Sequence, residues 1–360
     1  MKSQEKLKKA LIFRNGQLGD TLASIPALWA LRENFKHHKF TLLYDKHINS
    51  SFINPEVVLN QTGLIEEFFH YEVNEASKLK TYAEYLKLFF RLLKEDFDLL
   101  IYLAPSERPK FQVSRDIRFF KALGIKTIIG AEGLRGSLYK KNIYPAPFLE
   151  KESSFLLKRL KESGVIIPPK GKIRSDLNLT KEELVYAKEF LSTQTDPDNR
   201  TIVALGIGSK FDEKKWHTEN YIYVVRELIK IHDIYPVVFG GPEDTNLGEY
   251  VIKNWGRGAI AAGRFNIRES AALMSFCHLY IGNDTGTMHL ASASGVNCVS
   301  IFSARDYPGA WYPFGENNIE VRAKISCEGK ENSKCTTCKG TCLRSVSKEE
   351  VLKSCLLILK

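Results

Sequence analysis

The sequence predicts an α/β protein built from two doubly wound domains in series, and three observations carry that prediction. Short apolar runs alternate with segments of helical spacing, the pattern of a parallel sheet covered by helices on both faces. The alternation breaks at residues 164–171, where Pro168 and Pro169 sit among glycines, and then begins again. The chain has 360 residues. That is more than one ordinary core holds and suits two domains of about 150–190 residues each.

The elements follow in order. Residues 10–13 form a short apolar strand, and residues 14–20 are a turn-rich loop. Residues 21–35 have helical spacing, with Leu22, Ile25, Leu28 and Leu31 on one face and Pro26 as an expected kink. Residues 40–44 read as a strand, 82–94 as an amphipathic helix and 97–103 as a buried strand. Residues 116–123 read as a helix ending at Gly124, and 126–129 as a strand. After the break, Thr180-Lys181-Glu182-Glu183 opens a helix with a capping-box pattern. Strands at 201–205, 235–239, 278–281 and 297–302 then repeat the architecture of the first half. The expected domains are 1–175 and 176–345, with 346–360 a closing helix that could pack back on the first. Ligands in such sheets sit outside the carboxyl ends of the strands, so a cleft shared by both domains is the expected site.

Composition narrows the function classes. Hydrophobic residues make up 44% and charged residues 26% of the chain, which fits a sizeable core and excludes disorder. Lys and Arg number 52 against 42 Asp and Glu, a net charge of +10 that attracts anionic partners without choosing among them. No apolar run reaches the roughly 18–20 residues that span a bilayer. The first ten residues are lysine-rich and the apolar stretch after them is too short for a signal peptide. A cytoplasmic location is therefore expected, with the seven cysteines reduced or metal-bound.

Four loops at strand carboxyl ends carry candidate chemistry. Asp284-Thr285-Gly286-Thr287 leads from a strand into a helix whose first amides lack helical partners and sit at the positive dipole end. A diphosphate is the expected guest, with Thr285, Thr287 and His289 adding donors. The bland alternative is an ordinary turn capped by Asp284. In the second loop, Gly206-Ile207-Gly208-Ser209, followed by Lys214, suits an approach to phosphate, or is merely a solvated charged loop. In the third, Gly16-Gln17-Leu18-Gly19-Asp20 turns tightly into a helix, where Asp20 would stay ionised and act as general base or only as a cap. In the fourth, Glu243 after Gly240-Gly241 can accept bonds from ribose hydroxyls.

Taken together these segments resemble glycosyltransferase family 9, the ADP-heptose:lipopolysaccharide heptosyltransferases. The resemblance rests on Arg14-x-Gly16-x-x-Gly19-Asp20 with Pro26-Ala27-Leu28, on Lys214-x-Trp216, on Gly240-Gly241-x-Glu243, on Asp284-Thr285-Gly286-x-x-His289, and on residues 263–273. It implies a GT-B fold, acceptor in the first domain and donor in the second, and inverting transfer that needs no metal or other cofactor. By the same resemblance Asp20 is the base and Lys214 binds the donor phosphates. Thr285, Gly286 and His289 touch the diphosphate, Asp284 lies beside the sugar, Ser209 near phosphate, Glu243 on the ribose, and Phe265 against the adenine. The implied partners are a nucleotide-sugar donor, ADP-heptose, and a lipid-linked phosphorylated oligosaccharide of a lipopolysaccharide or lipooligosaccharide core.

The acceptor side is read from charge. Arg108, Lys110, Arg115, Arg118, Lys121, Lys126, Arg135, Lys140 and Lys141 crowd residues 108–141. That field suits an acidic core sugar, a peripheral contact with the cytoplasmic face of the inner membrane, or plain solvation. Arg14, Gln17, Lys110, Arg115 and Arg118 are the acceptor-binding candidates. In the tail, Cys327, Cys335, Cys338 and Cys342 are spaced to hold a structural zinc or iron, or are free thiols. Two rivals remain: a related GT-B transferase using another nucleotide sugar, and a non-catalytic polyanion- or RNA-binding protein. The second should interleave aromatics with basic residues on one surface, which the sequence does not do, so no nucleic acid is expected.

Overall fold

The computed structural model describes residues 8–47, 52–73, 78–136, 146–323, 325 and 341–360. They divide into two compact units, one of Met1–Leu138 with Glu152–Asn178, the other of Tyr139–Lys151 with Leu179–Lys360.

The first unit is a parallel sheet of β1 (Lys8–Phe13), β2 (His38–His47), β3 (Glu67–Val73), β4 (Leu99–Tyr102) and β5 (Thr127–Ile129), in the spatial order β3-β2-β1-β4-β5. Around it lie α1 (Leu18–Asn34), α2 (Pro55–Leu59), α3 (Lys78–Leu93), α4 (Lys110–Ala122) and α5 (Glu152–Glu162). The strand order reverses at β1, which pairs with β2 on one side and β4 on the other through Ala10↔Phe40 and Ala10↔Leu99. Ala10 to Phe13 are buried because both faces of this central strand are covered. Residues 21–31 of α1 are buried without a break. A helix covered on all sides has no polar face, which is why residues 21–31 carry no charged side chain.

The second unit repeats the plan with β6 (Ile202–Gly206), β7 (Tyr235–Val238), β8 (Ala259–Ile260), β9 (Leu279–Asn283), β10 (Cys298–Phe302) and β11 (Ile319–Arg322), in the order β11-β10-β9-β6-β7-β8. Its helices are α6 (Lys181–Gln194), α7 (Thr218–His232), α8 (Thr245–Trp255), α9 (Ile267–Met274), α10 (Gly286–Ala293) and α11 (Lys348–Ile358). The capping box at Thr180 and Glu183 forms: the Thr180 hydroxyl accepts the Glu183 amide at 3.2 Å and the Glu183 carboxylate accepts the Thr180 amide at 2.8 Å. Here the order reverses between β6 and β9, so the loops after these two strands meet at the switch point.

The closing helix α11 buries Val351 and Cys355 in the second unit's core with Trp216, Leu228 and Val299. Among the described residues no helix is long and apolar enough to cross a membrane.

Candidate active site

The loops after β6, β9 and β10 build one charged cluster in the second unit. Lys214 lies in the β6 loop, and its ammonium is 2.6 Å from the Asp284 carboxylate and 2.8 Å from that of Asp306. Burial pulls the lysine's pKa down, but the two carboxylates outweigh it and hold it above the ordinary range. Lys214 is thus a permanent cation. Burial works against the charge of Asp306 as well, yet Lys214, Arg305 and Arg322 together keep its carboxyl below the usual value. Asp284 moves the other way, pushed up by burial with Lys214 opposing.

Asn283, the last residue of β9, sets this geometry. Its side chain is fully buried. Its amide donates to the carbonyls of Ile207 at 2.9 Å and Gly208 at 3.2 Å. Its oxygen accepts from the Trp216 amide at 3.1 Å and the Tyr221 hydroxyl at 2.9 Å. The β6 loop is therefore tied at both ends to the strand that presents Asp284. Trp216 anchors it further, donating its indole N–H to the Val346 carbonyl at 3.1 Å. The Glu213 carboxylate accepts from Arg305 at 2.5 Å, joining the same loop to the one after β10.

Thr285 caps α10, followed by Gly286 and Thr287 in its first turn, so the amides of this turn point away from the helix body. This corrects the alternative that made Asp284 the cap; its carboxylate is engaged by Lys214 instead. His289 is buried one turn on, with its pKa lowered to about 4, first by burial and then by the nearby charge of Lys214. At neutral pH it is an uncharged hydrogen-bonding group. The Ser209 hydroxyl accepts the Phe211 amide at 3.1 Å, which leaves its own hydrogen to donate. Glu243 is exposed in the turn after β7. Phe265 is half-buried, packing on Phe190 and Tyr186 of α6 with ring centres 4.9 and 5.8 Å away.

Two of the loop glycines sit against Asp244. A Cβ on Gly208 or on Gly240 would collide with the carboxyl group of Asp244. They make room for Asp244, whose carboxylate accepts the Gly241 amide at 3.1 Å and fixes the turn after β7.

In the first unit the loop after β1 holds Asp20 at the third position of α1. Its carboxylate accepts the Gln17 amide at 2.9 Å, and Gly16, at φ +124°, leaves the space it occupies. Burial raises its pKa, partly opposed by Arg14 and the Gln17 amide, and helped by Glu152 and Asp45. With 19% of its side chain exposed, Asp20 can still meet a ligand.

Arg14 does not have that freedom. It is 1% exposed and donates to the Leu103 carbonyl at 2.7 Å and to the Asp20 carbonyl, while lying 3.5 Å from the Asp20 carboxylate and 3.8 Å from that of Glu152. Arg14, an acceptor-binding candidate from the sequence, is thus a buried guanidinium bonded to backbone carbonyls beside Asp20. Gln17 is exposed at the start of α1, and Lys110 and Arg118 are exposed on α4. Arg115 pairs with Asp116 at 2.9 Å, a carboxylate that also accepts from Arg108 at 2.7 Å and Tyr102 at 2.8 Å. Lys140 and Lys141 lie outside the described residues.

Of the tail cysteines only Cys342 is described, and it is buried in the second unit's core; Cys327, Cys335 and Cys338 lie outside the described residues. Among the described residues no group of three or more His, Cys, Asp or Glu is placed to hold a metal.

Asp306 and Asn283 were missed as site residues. Asn283 directly precedes the Asp284-Thr285-Gly286 motif, but nothing in its type says that it is buried. Asp306 follows β10, one strand from β9, and only the sheet order brings it to Lys214.

Two parallel α/β units with these loops at their switch points are the framework of a GT-B glycosyltransferase. A model of glycosyltransferase family 9 (heptosyltransferase) matches residues 160–340, just over half of the 360 residues, and the chain belongs to that family. It is 24% identical over 352 residues to lipooligosaccharide heptosyltransferase 2 of Campylobacter jejuni, covering 95% of this chain and 96% of that one. In fold it is similar to a glycosyltransferase family 9 protein of Veillonella parvula, with a TM-score of 0.74 at 21% identity, over 99% and 98% of the two chains. It is similar as well to the ADP-heptose lipopolysaccharide heptosyltransferase II of E. coli, with a TM-score of 0.67 at 16% identity, over 98% of each chain.

Proposed function

We propose that this enzyme transfers heptose, with inversion, from ADP-heptose to a hydroxyl of a lipopolysaccharide or lipooligosaccharide core sugar. The observation that carries the reading is Lys214, a buried ammonium fixed between Asp284 and Asp306 beside the amino end of α10. Breaking the donor's glycosidic bond leaves charge on a nucleoside diphosphate. Lys214 and the first amides of α10 are positioned in advance to receive it, so they stabilise the transition state without reorganising. Thr285, Thr287 and neutral His289 add hydrogen bonds, and Ser209 donates to phosphate. Glu243 accepts from the ribose, and Phe265 offers its exposed face to the adenine. Asp284, with its pKa raised, stands next to Lys214 at the sugar.

The first unit supplies the base. Asp20 takes the proton from the acceptor hydroxyl as that oxygen attacks the anomeric carbon, and a pKa raised above the free value makes it the better acceptor. Arg14 holds it in place. The exposed cations Lys110 and Arg118 suit an acidic, lipid-linked acceptor. The enzyme then works at the cytoplasmic face of the inner membrane.

Thermal melting in millimolar ADP, UDP, GDP, CMP or NAD tests the donor. A ligand at ~100 times its Kd stabilises the fold by about 2.7 kcal/mol. A shift with ADP supports the reading. A shift with UDP or GDP in its place replaces the donor within the same transferase class, and no shift with any nucleotide overturns the donor site.

A further inference from the structure

The α3 helix is apolar on two faces. One face buries Leu88 and Leu92 in the first unit's core, with Tyr85 and Phe89 packed beside them. On another, Leu79, Tyr82, Leu86, Phe90 and Leu93 point outward, from 83% exposed at Leu79 to 47% at Leu93. At 3.6 residues per turn these five fall within about 80° of the helix circumference. Lys80, Lys87 and Arg91, with Lys94 just past the helix end, are all exposed and fall about 40–100° beyond Phe90. A helix that only covers a sheet needs one apolar stripe. A second stripe of five large side chains, bordered by cations, is the pattern of a helix lying in a membrane interface.

Two neighbouring features extend this face. A cavity of about 370 Å³ lies beneath α3, lined by Phe13, Leu43, Tyr71, Tyr85, Leu88 and Phe120 among others. Tyr82 belongs both to that lining and to the exposed stripe, so the cavity adjoins the outer face of the helix, with Arg108, Arg115 and Asp116 also in its wall. Beside it, α4 packs on α3 through Phe89 and Phe119, with ring centres 5.7 Å apart, and presents exposed Lys110, Phe111, Arg118 and Lys121.

We propose that the outer face of α3, with the start of α4, is a membrane-docking surface for a bilayer containing anionic phospholipid. The leucines and aromatics enter the acyl region while the lysines and arginines meet the headgroup phosphates. The cationic border selects this occupant. A second copy of the chain, itself carrying +10, would bring lysine against lysine on the same face. The inference deepens the reading that the enzyme works at a membrane face, and vesicle binding without donor or acceptor tests it apart from the transfer reaction.

Flotation of the full chain with phosphatidylcholine vesicles, with and without one-third phosphatidylglycerol, tests it. The wild type should float with the anionic vesicles, far less with the neutral ones, and less as salt rises. The double variant Leu86→Glu/Phe90→Glu should bind at least about tenfold more weakly, because two inserted apolar groups are lost. Its melting temperature, and any shift produced by nucleotide, should match the wild type, since both positions are exposed. Failure of the wild type to bind anionic vesicles at low salt overturns the proposal, as does unchanged binding by the double variant. Binding that depends on Lys80 and Lys87 but not on Leu86 and Phe90 overturns insertion. A lipid-free dimer that Phe90→Glu dissolves would assign the face to a second copy instead.

Discussion

Both units place a cation against a carboxylate at the switch point of a parallel sheet, yet the two pairs are built in opposite senses. In the first, the buried cation Arg14 is committed to backbone carbonyls and the carboxylate of Asp20, 19% exposed, is the group proposed to react. In the second, two carboxylates clamp the cation Lys214, the group proposed to meet the donor phosphates. The difference follows from side-chain chemistry. Arginine keeps its charge in any environment and its planar fork holds several acceptors at once, which suits a scaffold. A lysine taken out of water tends to lose its proton, so a lysine needed as a cation must be surrounded by negative charge.

This contrast can be broken experimentally, beginning with the largest effect. Asp20→Asn keeps the shape of the loop and removes the base; turnover should fall about 10²–10⁴-fold in a transfer assay. Near-normal turnover would remove Asp20 from the chemistry. Lys214→Met should cost about 10²–10³-fold in rate. It should also destabilise the fold by roughly 3–5 kcal/mol, because Asp284 and Asp306 are left buried without their partner. Adding Asp306→Asn to that variant should restore part of the stability and none of the rate, which urea unfolding and kinetics would resolve separately.

Asn283→Ala should lose about 3–4 kcal/mol, read by urea unfolding, since it breaks four buried hydrogen bonds and leaves their partners unsatisfied. The smallest effect is that of His289. Its pKa falls from the ordinary 6.5 to about 4 in the folded protein, so between these values the unfolded chain binds the proton and the folded one does not. Stability contributed by the neutral imidazole is complete above about pH 6.5 and is lost as pH falls toward 4, by up to about 3 kcal/mol. His289→Gln should flatten that part of the stability curve, and an unchanged slope would place the titration elsewhere.

The central strands and the loops that follow them were legible in the sequence, because β1, β6, β9 and β10 are largely apolar runs followed by glycine or polar residues. The edges were not. β3, Glu-Phe-Phe-His-Tyr-Glu-Val, alternates and is only half covered, while β8 has two residues and β11 four, too few for a pattern. Asp20, Lys214 and the residues around Asp284 could be picked out because their types and positions at strand ends suggest chemistry. Asp306 could not be paired with Lys214, which is 92 positions away, before the order β10-β9-β6 was known. Nor could a sequence tell that Arg14 is buried or that Gly208 and Gly240 yield space to Asp244; these are facts of packing between loops that are remote in the chain.

The division of labour between the two units is tested most directly by titrating ADP, by calorimetry, into the wild type, Asp20→Asn and Lys214→Met. The account predicts wild-type ADP affinity for Asp20→Asn despite its lost turnover, and affinity weakened at least about tenfold for Lys214→Met, as expected for a charged hydrogen bond removed from phosphate. Weakened binding by Asp20→Asn together with undiminished binding by Lys214→Met would contradict it.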